Sequence, residues 1–140
     1  MPALGPMDVV GPLVGAGLFV AGMSRIPEPL RLRVNALLVA GASGAYIGSS
    51  FGLWELLFAA VALGVAFGAQ GSYRLVGLAW FLHAGWDVLH HLYGAPIWPF
   101  AATSSFGCMV FDSAIAIWLA AGAPDGSALW LALRANDRSA

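Results

Sequence analysis

The sequence predicts an all-α fold: a polytopic membrane helical bundle of about five transmembrane helices. Three observations predict it. Hydrophobic residues make up 60% of the chain and charged residues only 9%, against about 25% charged in soluble domains. A charge at mid-bilayer costs at least ~2.5 kcal/mol, so this scarcity is what lipid contact demands. Second, the apolar residues gather into five segments, 9–23, 32–50, 53–69, 73–92 and 105–121, close to the roughly 17–25 residues that a span needs. Third, there is no lysine, and the six arginines fall in alternate gaps. Arg25, Arg31 and Arg33 lie between the first two segments, Arg74 between the third and fourth, and Arg134 and Arg138 after the fifth. Five spans put all six on one side, whereas four or six would divide them. The positive-inside rule makes that side cytoplasmic, with the amino terminus outside and the carboxyl terminus in the cytoplasm.

The 140 residues are expected to form one domain, 1–140. No basic residue precedes the first apolar run, which is therefore expected to be a span rather than a cleaved signal peptide. That run is short and contains Pro12. In the loop that follows, Pro27 and Pro29 oppose helix, and Glu28 can pair with Arg25 or Arg31. Small residues recur at four-residue spacing: Gly11 and Gly15, Gly44 and Gly48, and Ala60, Gly64 and Gly68. Such ridges let backbones approach closely, within one bundle or as a homo-oligomer interface. The third segment opens with Glu55, the fourth carries all three histidines with Asp87, and the fifth carries Cys108 and Asp112. Between the last two, Pro96 and Pro99 stiffen a loop with Trp98 and Phe100, and Thr103 or Ser104 can cap the following helix. A short segment at 128–134, centred on Trp130 and Leu131, is expected to lie along the inner interface.

Two classes of function are excluded. A net charge of −1 offers no electrostatic footprint for nucleic acid. The single cysteine, Cys108, rules out an intrachain disulfide framework and a Cys-rich zinc module.

The chemistry concentrates in residues 80–94, W-F-L-H-A-G-W-D-V-L-H-H-L-Y-G. At 100° per residue His83, Asp87 and His90 share a narrow helical arc, with His91 on its flank. Ionisable groups inside spans mark functional sites by default. The alternating topology puts Glu55 level with His90 and His91, and Asp112 roughly level with Asp87. Imidazole and carboxylate at i, i+4 and i+7 can ligate one divalent metal ion, with zinc, iron and manganese the candidates. His83, Asp87 and His90 are the expected metal ligands. His91, Glu55 and Asp112 are expected to complete the shell or act as general acid or base, Asp112 by ligation or by orienting a histidine. Glu55 alternatively faces solvent. Trp80 and Trp86 can wall a pocket, Tyr93 can cap it, and the loop with Trp98 is either a lid or an interfacial anchor. Cys108 is a small packing residue or a thiolate ligand.

Four strings together, R-x-R-x-N-A at 31–36, L-W-E at 53–55, H-x-x-W-D-x-x-H-H-L-Y-G-x-P at 83–96 and P-F-A-x-T-S-S-x-G-C at 99–108, resemble an uncharacterised family of small bacterial and fungal integral membrane proteins, a domain of unknown function. The resemblance covers nearly the whole chain and implies a stand-alone membrane protein, expected in the bacterial inner (plasma) membrane, with no activity attached. The residues themselves support an intramembrane metalloenzyme acting on a lipid-like or apolar substrate, hydrolase slightly ahead of oxidoreductase. The alternatives are a metal-free isomerase or cyclase using the same groups for proton transfer, and a non-enzymatic metal, haem or small-molecule carrier.

Overall fold

The computed structural model describes residues 2–125, so the expected segment at 128–134 lies outside the described residues. Its regular structure is five helices: α1 (Met7–Met23), α2 (Leu30–Ala42), α3 (Leu53–Gly68), α4 (Tyr73–Tyr93) and α5 (Ser104–Ala120). The all-α class and the helix number are those read from the sequence. Among the described residues no helix is long and apolar enough to cross a membrane.

Helix α4 is the central element, packed against α2, α3 and α5, while α1 packs on α5. The ends alternate. At one end Arg31 of α2, Glu28 before it and Tyr73 of α4 meet: Arg31 Nη2 lies 2.6 Å from Glu28 Oε1, and the Tyr73 hydroxyl donates to the same carboxylate oxygen. Burial would raise the Glu28 pKa, but the bonds from Tyr73 and Arg31 outweigh it and hold the carboxyl below its ordinary range. At the other end Thr103 Oγ1 donates to Asp8 Oδ1 at 2.6 Å, and the Ala95 N–H donates to Ser50 Oγ at 2.6 Å. Arg25, Arg31, Arg33 and Arg74 thus share one end of the bundle.

Two expectations are corrected. The second apolar segment was expected to be helical to residue 50, but α2 stops at Ala42 and 43–50 is a run of tight turns. The G-A-S-G-A-Y-I-G-S-S stretch explains the stop. Glycine and serine are poor helix residues, and Gly48 takes φ +89°, which a helix does not use. Neither Thr103 nor Ser104 caps α5 with its side chain. Thr103 is spent on Asp8, and Ser104 and Ser105 accept the N–H groups of Trp98 and Ile97, stitching the loop to the first turn of α5.

The interior mixes small and polar side chains with a few large apolar ones, Val39, Val76, Trp80, Ile115, Trp118 and Leu119. Ala36, Ala62, Ala66, Ala79, Ala84 and Ala116 are buried, as are Asn35, Glu55, His83, Asp87, His90 and Asp112. Large apolar side chains face outward on each helix, including Leu18, Leu37, Leu57, Phe67 and Phe81 on α1 to α4 and Ile117 on α5. The α4–α5 contact is the closest: a Cβ on Gly77 would sit 3.0 Å from the Ala116 carbonyl oxygen and 3.1 Å from the Ala120 nitrogen. Backbone cannot step aside as a side chain can. Gly77→Val is therefore expected to cost about 1–3 kcal/mol through overpacking, read as a lower melting temperature, while Gly85→Ala, with open space at that position, should not lower it and should raise it slightly through helix propensity.

Candidate metal centre

Three residues from two helices converge beside the end of a third. His83 and Asp87 are one turn apart on α4, and Asp112 faces them from α5. His83 Nδ1 lies 2.7 Å from Asp112 Oδ2 and 3.5 Å from Asp87 Oδ2. His83 is 3% exposed, Asp87 0% and Asp112 4%. Ligand atoms of the three lie within 4.8 Å of one another, so the group could hold a metal ion.

The tautomer of His83 follows from its other nitrogen. Nε2 lies 2.8 Å from the Ala42 carbonyl oxygen, and a carbonyl only accepts, so Nε2 carries the hydrogen. That carbonyl is within reach because α2 ends there, leaving its last carbonyls without helical partners. It accepts the Ala45 N–H as well, at 2.9 Å. Nδ1 is therefore the atom offered to the two carboxylates. A histidine ligand commonly donates its second ring N–H in this way, fixing ring orientation.

Tyr46 is the residue that sequence reasoning missed. Its hydroxyl donates to Asp87 Oδ1 at 2.8 Å, leaving Asp87 Oδ2 aimed at His83 with no hydrogen-bond partner among the described residues. The signal was the glycine- and serine-rich run around it, which was read as a helix-packing ridge. Unwinding there carries Tyr46 into the interior, where it is 3% exposed.

His90, expected among the ligands, lies outside this group. Its ring stacks on Tyr46 at 3.8 Å between centroids and 16° between planes, and it touches Phe51 and Trp86 at 4.5 and 5.6 Å. Its Nδ1 faces the Ala95 carbonyl at 3.3 Å, and its Nε2 lies 4.0 Å from Glu55 Oε1. Glycine at 94 makes this possible, since a Cβ there would meet His90 Nδ1 at 2.8 Å. Glu55 is 1% exposed rather than solvated, because its two oxygens accept the N–H groups of Ser49 at 2.8 Å and Phe51 at 2.9 Å. It anchors the turn segment against α3.

The remaining expected residues are dispersed. His91 is half-buried against Phe106 of α5, 5.4 Å between rings. Trp80 is buried beside His83 with ring centroids 6.1 Å apart. Cys108 is a free, half-buried thiol. Trp86 and Tyr93, with Phe51, Trp54 and Leu89, line an apolar groove of about 330 Å³. Trp98 is 54% exposed and pairs with Phe100 instead.

Fold and site together define an all-α protein with a buried histidine–aspartate cluster on its central helix. The chain belongs to the family of unknown function DUF6010, whose model matches residues 7–125. No curated protein and no solved structure matches it.

Proposed function

We propose that this protein is a membrane-embedded, metal-dependent enzyme, more a hydrolase than an oxidoreductase, acting on a lipid-like substrate. The observation that carries the metal is His83 Nδ1, turned by the Ala42 carbonyl toward two buried carboxylates, one of which keeps an unpartnered oxygen. One divalent ion with one neutral imidazole and two carboxylates sums to zero charge, the combination that low dielectric favours. Two oxygen donors and one nitrogen suit manganese, iron or zinc. Three protein ligands leave a position for water, which the ion would activate for hydrolysis.

The membrane assignment is supported by the inverted exterior. Soluble monomers rarely present large contiguous apolar patches, and here leucine and phenylalanine face outward while ionisable groups are buried. Helices α1 and α5 have 17 residues each, about 25 Å at 1.5 Å per residue. A hydrocarbon core of about 30 Å would thin locally around them. The arginine end would face the cytoplasm of a bacterial inner membrane, with His83 and Asp112 at the middle of α4 and α5.

The test is elemental mass spectrometry on protein purified without a histidine tag or added metal. About one manganese, iron or zinc per chain is expected, stripped by a chelator and absent from His83→Ala. Well-folded protein with no metal, before or after reconstitution, would defeat the proposal. It would favour proton transfer through the 2.7 Å His83–Asp112 contact instead.

A further inference from the structure

His90 and Glu55 make a second polar constellation, about one ring's width from the first. The Ala95 carbonyl only accepts, so His90 Nδ1 carries the hydrogen and Nε2 presents a lone pair. That atom is buried and has no hydrogen-bond partner among the described residues. Glu55 Oε1, 4.0 Å away, is too distant for a direct bond. Two acceptors therefore face each other, and one of them belongs to a buried carboxylate.

The distance fits one donor atom that can give two hydrogen bonds at once. Two bonds of about 2.8 Å from one tetrahedral donor atom span about 4.5 Å, within half an ångström of this pair. A hydroxyl has one hydrogen and can serve only one of the acceptors. A primary ammonium has three and brings the positive charge that the carboxylate calls for. The surroundings agree: His90 is boxed by the rings of Tyr46, Phe51 and Trp86, and aromatic rings attract ammonium groups. Two of those residues, Phe51 and Trp86, also line the apolar groove with Trp54, Leu89 and Tyr93. Its volume is at the lower end of the range for ligand sites. We infer that Glu55 and His90 read the primary amino group of a long-chain amine whose hydrocarbon chain lies in the Phe51–Trp86 groove. This rests on the reading of a lipid-like substrate and names its head group.

The experiment compares dodecylamine, dodecanol and dodecyltrimethylammonium as competitors of a photoactivatable alkylamine, on purified protein in lipid nanodiscs with metal content measured in the same samples. Dodecylamine is expected to compete at least tenfold better than either analogue. The alcohol lacks charge and a second hydrogen, and the trimethyl compound lacks both hydrogens. His90→Phe, which keeps an aromatic ring on Tyr46, should abolish the preference with metal content unchanged. Leu89→Trp, at a partly exposed position on the groove, should block labelling altogether. Equal competition by the three compounds on the unmodified protein would mean that no amine is read, and would overturn the inference whatever the variants do. Amine preference in protein without metal would sink the metal centre and keep the head group. Metal without amine preference would do the reverse.

Discussion

Asp112→Asn is expected to lower metal affinity more than a hundredfold, measured by competition with a chromophoric chelator in detergent. Asparagine keeps the shape of the side chain and one oxygen, so packing around His83 should survive. The change removes the second anionic ligand, leaving a dication with one carboxylate in a site whose members are at most 4% exposed. The uncompensated charge is costly there because the surroundings cannot solvate it. Tyr46→Phe should act more weakly, about tenfold, at the low end of what losing an outer hydrogen bond to a ligand costs. It removes only the bond that fixes Asp87 Oδ1, freeing that carboxylate to rotate away from His83. The ordering is the informative part. If Asp112→Asn binds metal as tightly as the unmodified protein, Asp112 is not a ligand. Asp87 would then be the one carboxylate ligand.

The relative level of the clustered residues along the bundle was legible in the sequence, and the ligand set only partly so. Arginine placement fixed which segments run in which direction, and that alone put Asp112 beside the histidine helix and Glu55 at the level of His90. The contacts at 2.7 and 4.0 Å follow that alignment. Which of the histidines on one arc would serve the group was not legible. His83 and His90 are equivalent by helical angle, and they are distinguished by what lies opposite each. Facing His83 are a carboxylate on α5 and the Ala42 carbonyl at the end of α2; facing His90 are Tyr46 and Glu55. Both depend on where α2 stops. That stop is a conflict between apolar composition, which continues to residue 50, and backbone preference, which fails at the glycines and serines after Ala42. Hydropathy alone settled the conflict in favour of a span. The local conformational cost settled it the other way, and Tyr46 went unnoticed because its role exists only if the helix ends.

Glu55→Ala is expected to be the most damaging substitution for stability, although Glu55 touches none of the three clustered residues. Its carboxylate accepts the N–H groups of Ser49 and Phe51, where the chain turns from the unwound segment into α3. Alanine leaves both donors without a partner, at about 1–3 kcal/mol for each one that stays out of water. A loss of about 2–5 kcal/mol follows, read as a fall of roughly 5–15 °C in melting temperature in detergent. Glutamine, with one accepting oxygen, should lie between. Leu56→Ala, at the next and half-exposed position, should change little. The consequence reaches the cluster through the chain: the segment that Glu55 holds carries Tyr46, and it begins at the Ala42 carbonyl that fixes His83. Glu55→Ala should therefore weaken metal binding about as much as Tyr46→Phe does, and only through the loosened turns. A Glu55→Ala protein that melts normally yet loses metal would instead place the carboxylate within reach of the ion. One that melts early but binds metal fully would show that α2, α4 and α5 hold the cluster without the turns.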